Sequence, residues 1–149
     1  MDPTTERGAG GGEQAVLNSN LESVDAAEAI VVRHARALGF EEDDVHKLGI
    51  AVRECMVNAV VHGNRYNARK KVHLLVTPGP DRITITITDQ GNGFELHAVP
   101  DPLAEENILR HSGRGILLVQ AFMDEFEIRK KEPSGTQVKL VKYLRHGNP

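Results

Sequence analysis

The sequence predicts an α+β fold, a two-layer α/β sandwich with helices laid over a mainly antiparallel mixed sheet. Two observations predict it. Two apolar-periodic segments come first, each with acidic residues near its start and glycine at its end, the pattern of amphipathic helices. Two pairs of alternating segments follow, each pair split by a Pro- and Gly-rich turn, the pattern of hairpins.

Taken in order, residues 1–13 include Arg7-Gly-Ala-Gly-Gly-Gly12 and have the composition of a flexible tail, so the domain is expected over 14–146. Ala15 to Asn20 reads as an edge strand. Asp25 with Glu28 resembles a capping box opening a helix through Leu38, which stops at Gly39. Asp43 and Asp44 favour the start of a long helix before Val45, ended by Gly63. Val72 to Val76 and Arg82 to Thr88 form one hairpin across Pro78-Gly-Pro-Asp81; Glu125 to Lys131 and Thr136 to Tyr143 form another across Pro133-Ser-Gly135. Ala98 to Leu109, with two prolines and then Glu105-Glu106, reads as a lid between two glycine motifs.

Composition narrows the function classes. The chain has 149 residues with 40% apolar content, enough for one domain with a real core. A formal charge of −3 gives no broad basic field for nucleic acid, although Arg65, Arg69, Lys70 and Lys71 form a local basic cluster. One cysteine, Cys55, precludes an internal disulfide and suits a reducing cytoplasm. No run reaches the ~20 apolar residues of a membrane span, and the first residues lack the pattern of a signal peptide.

The richest segment is Glu54-Cys-Met-Val-Asn58-Ala-Val-Val-His62-Gly63. Glu54, Asn58 and His62 recur every fourth residue, one face of a helix with about 3.6 residues per turn, within an otherwise apolar helix. A polar stripe there either carries a desolvation penalty or faces a ligand cavity. The second segment begins 31 residues after Asn58, where a strand delivers Asp89 into the turn Gln90-Gly91-Asn-Gly93. Glycines there let backbone approach a flat ring or a phosphate. The third, Ser112-Gly113-Arg114-Gly115, opens an apolar helix, and a glycine-preceded helix N-terminus favours anions.

Together the E-x-x-x-N-A-x-x-H-G helix, the D-x-G-x-G-F turn, the G-x-G helix start and Gly135-Thr136 resemble the GHKL (Bergerat-fold) ATP-binding superfamily, in the same order and spacing. Within it, the short chain and the segment Gly115 to Asp124 look like the bacterial anti-sigma-factor serine/threonine kinases. The resemblance covers about residues 14–144. It implies ATP and Mg²⁺ as cofactors, Asn58 on Mg²⁺ bridging the phosphates, and Glu54 as general base for the attacking hydroxyl. It places Asp89 on the adenine amine and Thr136 near the same edge, through water. Gly91, Gly93, Ser112, Gly113 and Gly115 would line the nucleotide. His62 either closes the helix or lines the phosphate pocket. Family kinases can carry an arginine where this chain has His111, leaving Arg110 or Arg114 to approach phosphate.

The function implied is a cytoplasmic anti-sigma factor that sequesters a sigma factor and phosphorylates a STAS-type anti-anti-sigma protein, as a homodimer, without direct nucleic-acid or membrane contact. A noncatalytic ATP-binding regulatory module and a histidine-kinase-like catalytic subunit are the alternatives. The first would keep Asn58 and Asp89 without phosphotransfer; the second would need an acceptor-bearing dimerisation helix.

Overall fold

The computed structural model describes residues 4–7, 11–91 and 115–145. In chain order the elements are β1 (Thr4–Arg7), β2 (Glu13–Asn18), α1 (Glu22–Leu38), α2 (Glu42–Val57), a π-helical turn (Asn58–Gly63), β3 (Lys71–Pro78), β4 (Arg82–Thr88), α3 (Gly115–Phe122), β5 (Glu125–Lys130) and β6 (Thr136–Tyr143). The strands form one sheet in the order β1-β2-β3-β4-β6-β5. Every described ladder is antiparallel, so the mixed component expected from the sequence is absent among these strands.

Strand alternation and register build the core. Ala15, Leu74, Ile87, Val138 and Ile128 stand opposite one another across β2, β3, β4, β6 and β5. The next row on that face is Val76, Ile85, Leu140 and Phe126. Onto these rows pack Val24, Ala27, Val31 and Ala35 of α1 and Leu48, Ala51, Val52, Cys55 and Met56 of α2 in one continuous cluster. Each fully buried isoleucine or leucine contributes roughly 1.5–3 kcal/mol. On the opposite face Thr84, Thr86 and Thr88 run down β4 half-buried, flanked by the exposed His73 and Leu75. The result is two layers with one face of the sheet uncovered among the described residues.

Three boundaries differ from the sequence expectation. Thr4–Arg7, inside the segment whose glycines read as a tail, is a strand that pairs with β2 and makes β2 an inner strand. Its two threonines favour extended backbone, and an unpaired edge at Glu13–Val16 supplies the hydrogen bonds that glycine-rich composition does not reveal. Helix α1 starts at Glu22, ahead of the Asp25–Glu28 pair. Asn20 does the capping: its Oδ1 accepts from the backbone N–H and the hydroxyl of Ser23 at 3.0 and 3.1 Å. Asp25 and Glu28 instead both accept from Arg53 Nη1, at 2.7 and 2.8 Å, and tie α1 to α2. Glu28 also lies across Gly49, where a Cβ would strike its carboxylate, so that glycine sets how closely the helices approach. Helix α2 starts at Glu42 and changes to a π-helical turn before Gly63. Gly39, at φ 97°, ends α1 as expected.

One buried ionic contact fastens the sheet to α1. Glu13 is 4% exposed, and its Oε1 takes hydrogen bonds from Arg33 Nη2 and His34 Nε2, both at 2.8 Å. Burial pushes its carboxyl up, but the bonds from His34 and Arg33 outweigh it and leave it below the usual glutamate range. A depressed carboxyl contributes stability above its unfolded value of 4.5, lost as pH falls through the folded value. Glu13→Ala should therefore lower unfolding free energy by about 1–3 kcal/mol at neutral pH. In urea titrations the difference from wild type should shrink towards pH 3.

Candidate nucleotide site

The site lies at the sheet end where β4 finishes and β6 begins. Hydrophobic alternation through Ile83, Ile85 and Ile87 fixes the register of β4, and the strand then delivers Asp89 into the interior at 3% exposure. The backbone N–H of Asp89 donates to the Thr136 carbonyl at 3.0 Å. Its Oδ1 accepts from the N–H groups of Gly91 at 3.0 Å and Thr136 at 3.2 Å. Among the described residues Oδ2 receives no hydrogen bond.

Glycines make room for this carboxylate. A Cβ on Gly63 would collide with Asp89 Oδ2, one on Gly91 with the Gly63 carbonyl, and one on Gly135 with the Asp89 carbonyl. Gly135 also needs its positive φ of 113°. The enclosure is thus built from backbone, closer than any side chain would allow. Burial pushes the Asp89 carboxyl up to about 6, against the opposing hydrogen bonds from Gly91 and Thr136 and the charge of Lys70. Thr136 completes the place. It is 1% exposed, and its Oγ1 is the one buried side-chain oxygen or nitrogen without a hydrogen-bond partner among the described residues. A buried, unsatisfied hydroxyl costs free energy unless a ligand or water meets it.

The helix side of the site comes from α2 and its extension. Asn58, 7% exposed, stands where α-helix becomes π-helix. Among the described residues its amide makes no hydrogen bond. π-Helical turns frequently accompany functional sites, because one inserted residue re-aims the chain. Glu54, one turn earlier and half-buried, rests its carboxylate against Gly115 at the start of α3, where a Cβ would overlap Oε2. Glu54 and Gly115, 61 residues apart in sequence, therefore meet. His62 lies half-buried within the π-helical turn. Cys55 points into the core, with its thiol pushed up to about 12 chiefly by burial, and is chemically inert.

A residue the sequence reading passed over holds these parts together. Asn64 is 2% exposed; its Nδ2 donates to Ser19 Oγ at 2.9 Å and to the Lys71 carbonyl at 3.0 Å, and its Oδ1 accepts from the Gln90 N–H at 2.8 Å. It joins the end of the π-helical turn to Ser19 just past β2, to β3 and to the Asp89 turn. An asparagine directly after a helix-ending glycine was the available signal, but only the fold shows which strands it reaches.

Gly93, Arg110, His111, Ser112, Gly113 and Arg114 lie outside the described residues, as does the expected lid. No group of three or more His, Cys, Asp or Glu able to hold a metal occurs among the described residues. One amide oxygen from Asn58 fits a hard ion that draws its remaining ligands from phosphate and water. No described helix is long and apolar enough to cross a membrane. A separate groove between α1 and α2, lined by Asp25, Glu28, Arg33, Arg36, Glu42 and His46 among others, contains none of these site residues.

The chain is similar to known proteins in sequence and in fold. A family model described as the histidine kinase-like ATPase domain matches residues 17–142. The chain is 35% identical over 114 residues to the serine-protein kinase RsbW of Staphylococcus epidermidis, covering 72% of this chain and 70% of that protein. It is 33% identical over 108 residues to the anti-sigma F factor of Bacillus thuringiensis (strain Al Hakam), covering 71% and 74%. Among solved structures, the RsbU and RsbW domains of Rv1364c from Mycobacterium tuberculosis share the fold with TM-score 0.62 at 15% identity, over 98% of this chain and 34% of that one. The SiaB–SiaC complex from Pseudomonas aeruginosa gives TM-score 0.61 at 13% identity, over 85% and 87%.

The raised carboxyl of Asp89 has a defined sign. Ionising it in the folded chain costs stability: the penalty is absent below the unfolded value of 3.8, grows as pH rises through about 6, and is constant above. Asp89→Asn keeps an acceptor for Gly91 and Thr136 without the charge. The variant should melt higher than wild type at pH 8, with the gap closing towards pH 4, as read by circular dichroism.

Proposed function

The chain belongs to the histidine kinase-like ATPase family, in its anti-sigma-factor serine-kinase branch, and from that premise we propose an ATP-dependent serine/threonine protein kinase that also sequesters a sigma factor. The observation that carries the reading is the buried Asp89 carboxylate beside the unsatisfied Thr136 hydroxyl, walled by Gly63 at the end of the π-helical turn that Asn58 begins. Adenine offers an exocyclic amine as donor, and Asp89 Oδ2 is an acceptor with nothing else to accept from among the described residues. Thr136 Oγ1 is satisfied by the same ring, directly or through one water. The glycine enclosure at Gly63 and Gly91 lets a flat base reach that depth. Gly93, Ser112, Gly113 and Gly115 are proposed along the nucleotide, with Arg110 or Arg114 towards the phosphates.

Mg²⁺, when bound with ATP, neutralises the phosphate charge, and Asn58 supplies the protein's oxygen to it. The bond from the γ-phosphorus to its bridging oxygen breaks as one to the acceptor serine forms, and Glu54 takes the serine's proton. Held against Gly115, the Glu54 carboxylate has little freedom to turn away, which is the positioning such chemistry needs. This supports a transferase over a silent nucleotide module.

By likeness to the serine-protein kinase and anti-sigma relatives, the partners are proposed as a sigma factor and a STAS-type anti-anti-sigma protein. A phosphate placed on the latter's serine adds a near-dianionic group that breaks its contact, and the sigma factor is then held. The assembly is proposed to be a homodimer acting in the cytoplasm, where sigma factors work.

Phosphotransfer from labelled Mg-ATP to a STAS partner provides the test. Glu54→Gln should bind ATP within about threefold of wild type yet transfer roughly 10²–10⁴-fold more slowly. Transfer at the wild-type rate would remove Glu54 as the base. Asp89→Asn should weaken ATP at least about tenfold, the cost of facing an amine with a donor. Unchanged ATP affinity would remove the adenine contact.

A further inference from the structure

Between Glu54 and Asp81 the chain carries no aspartate or glutamate, yet it holds Arg65, Arg69, Lys70 and Lys71. In the fold this run becomes the loop joining the π-helical turn to β3, beside Asp89. Elsewhere, Arg33, Arg36, Arg53, Arg82, Arg129 and Arg145 each hold a carboxylate of this chain. Arg69 does not. Its side chain is exposed and makes no ion pair among the described residues; only its backbone N–H is used, donating to Asn67 Oδ1 at 2.9 Å. Lys71 is occupied, its Nζ donating to Asn18 Oδ1 at 2.7 Å and the Ala68 carbonyl at 3.2 Å. Lys70, half-buried, adds positive charge facing Asp89 and takes no ion pair of its own among the described residues.

The loop is fixed in shape. Arg65 and Tyr66 both adopt left-handed backbone, at φ 51° and 58°, a conformation that side chains resist and that persists only where the surroundings impose it. They are imposed on by Tyr66 N–H to the Val60 carbonyl at 2.9 Å, Asn67 N–H to Asn64 at 3.0 Å and Lys70 N–H to Asn67 at 3.0 Å. The outcome is a loop that carries Tyr66, 52% exposed, and the exposed Arg69 three residues on. Tyrosine and arginine are the side chains that most often dominate protein interfaces, and a preorganised loop loses little entropy on binding.

We propose that Tyr66, Arg69 and Lys70 form a docking surface for an acidic segment of the protein that receives the phosphoryl group. The inference rests on the kinase reading for the partner's identity and on charge complementarity for its chemistry. A short acidic segment fits three side chains on one loop, whereas a long polyanion such as DNA would meet the repulsion of a chain with net charge −3. Contact here would reach the nucleotide site along a short path, since Asn64 joins this loop to the Gln90 backbone next to Asp89.

The test uses the full chain and a short fluorescein-labelled Asp/Glu-rich peptide, with duplex DNA of similar length as competitor and fluorescence anisotropy as readout. Wild type should bind the peptide with an affinity that falls as salt rises. Arg69→Glu and Tyr66→Ala should each weaken it about tenfold or more. Arg129→Glu, the same charge reversal on the distant β5, should leave it within about twofold, excluding a bulk charge effect. Peptide binding absent in wild type, equal in Arg69→Glu, or outcompeted by DNA would overturn the proposal. ATP binding, followed in parallel, should be unchanged in Arg69→Glu and Tyr66→Ala. Its absence in wild type would count against the kinase reading alone.

Discussion

A carboxylate held out of water sets the terms for the rest of this molecule. Asp89 can be buried only because backbone N–H groups from Gly91 and Thr136 meet one of its oxygens and glycines clear space for the other. The cost of that burial appears as a carboxyl raised to about 6. Such an arrangement is maintained where a ligand repays it, and an amine donor in a flat ring is the ligand that its free oxygen, its depth and the unsatisfied Thr136 hydroxyl would all accept.

From this constraint the surrounding architecture follows. The antiparallel register must bring the end of β4 beside the start of β6, since Asp89 and Thr136 exchange backbone and side-chain bonds. The α2 helix must reach the same sheet end, since Gly63 at its terminus forms one wall. It arrives there through a π-helical turn that begins at Asn58. Asn64 then clamps that terminus to Ser19 just past β2, to β3 and to the Asp89 turn with three hydrogen bonds. The core rows of Ile, Leu and Val supply stability, while a small number of buried polar groups decides where the functional side chains stand.

Most of the fold was legible in the sequence because alternation and helical spacing survive in a simple two-layer packing. Both hairpins and the Gly39 stop are where periodicity and turn chemistry put them, and both long helices form there too, apart from their first residues and the π-helical end of the second. What the sequence could not show is tertiary. Thr4–Arg7 is a strand because β2 offers an edge, a fact invisible in its glycine-rich surroundings. Asp25 and Glu28 looked like a capping box, yet Arg53, 28 residues from Asp25, claims both carboxylates. Within the site, motif spacing and the family resemblance together singled out Glu54, Asn58, Asp89 and Thr136, but not the buried contacts of Asn64, since a single asparagine carries no periodic signal. Nor could it show that Gly115 faces Glu54.

The whole arrangement depends on Asp89 being the acceptor for the base. The most direct measurement is a carbon-detected NMR titration of the Asp89 carboxyl, alone and saturated with ADP. Free protein should titrate near 6. With ADP bound, donation from the adenine amine stabilises the ionised form, and the midpoint should fall by at least about one unit. A midpoint that stays in place or rises would mean that the base does not meet this carboxylate.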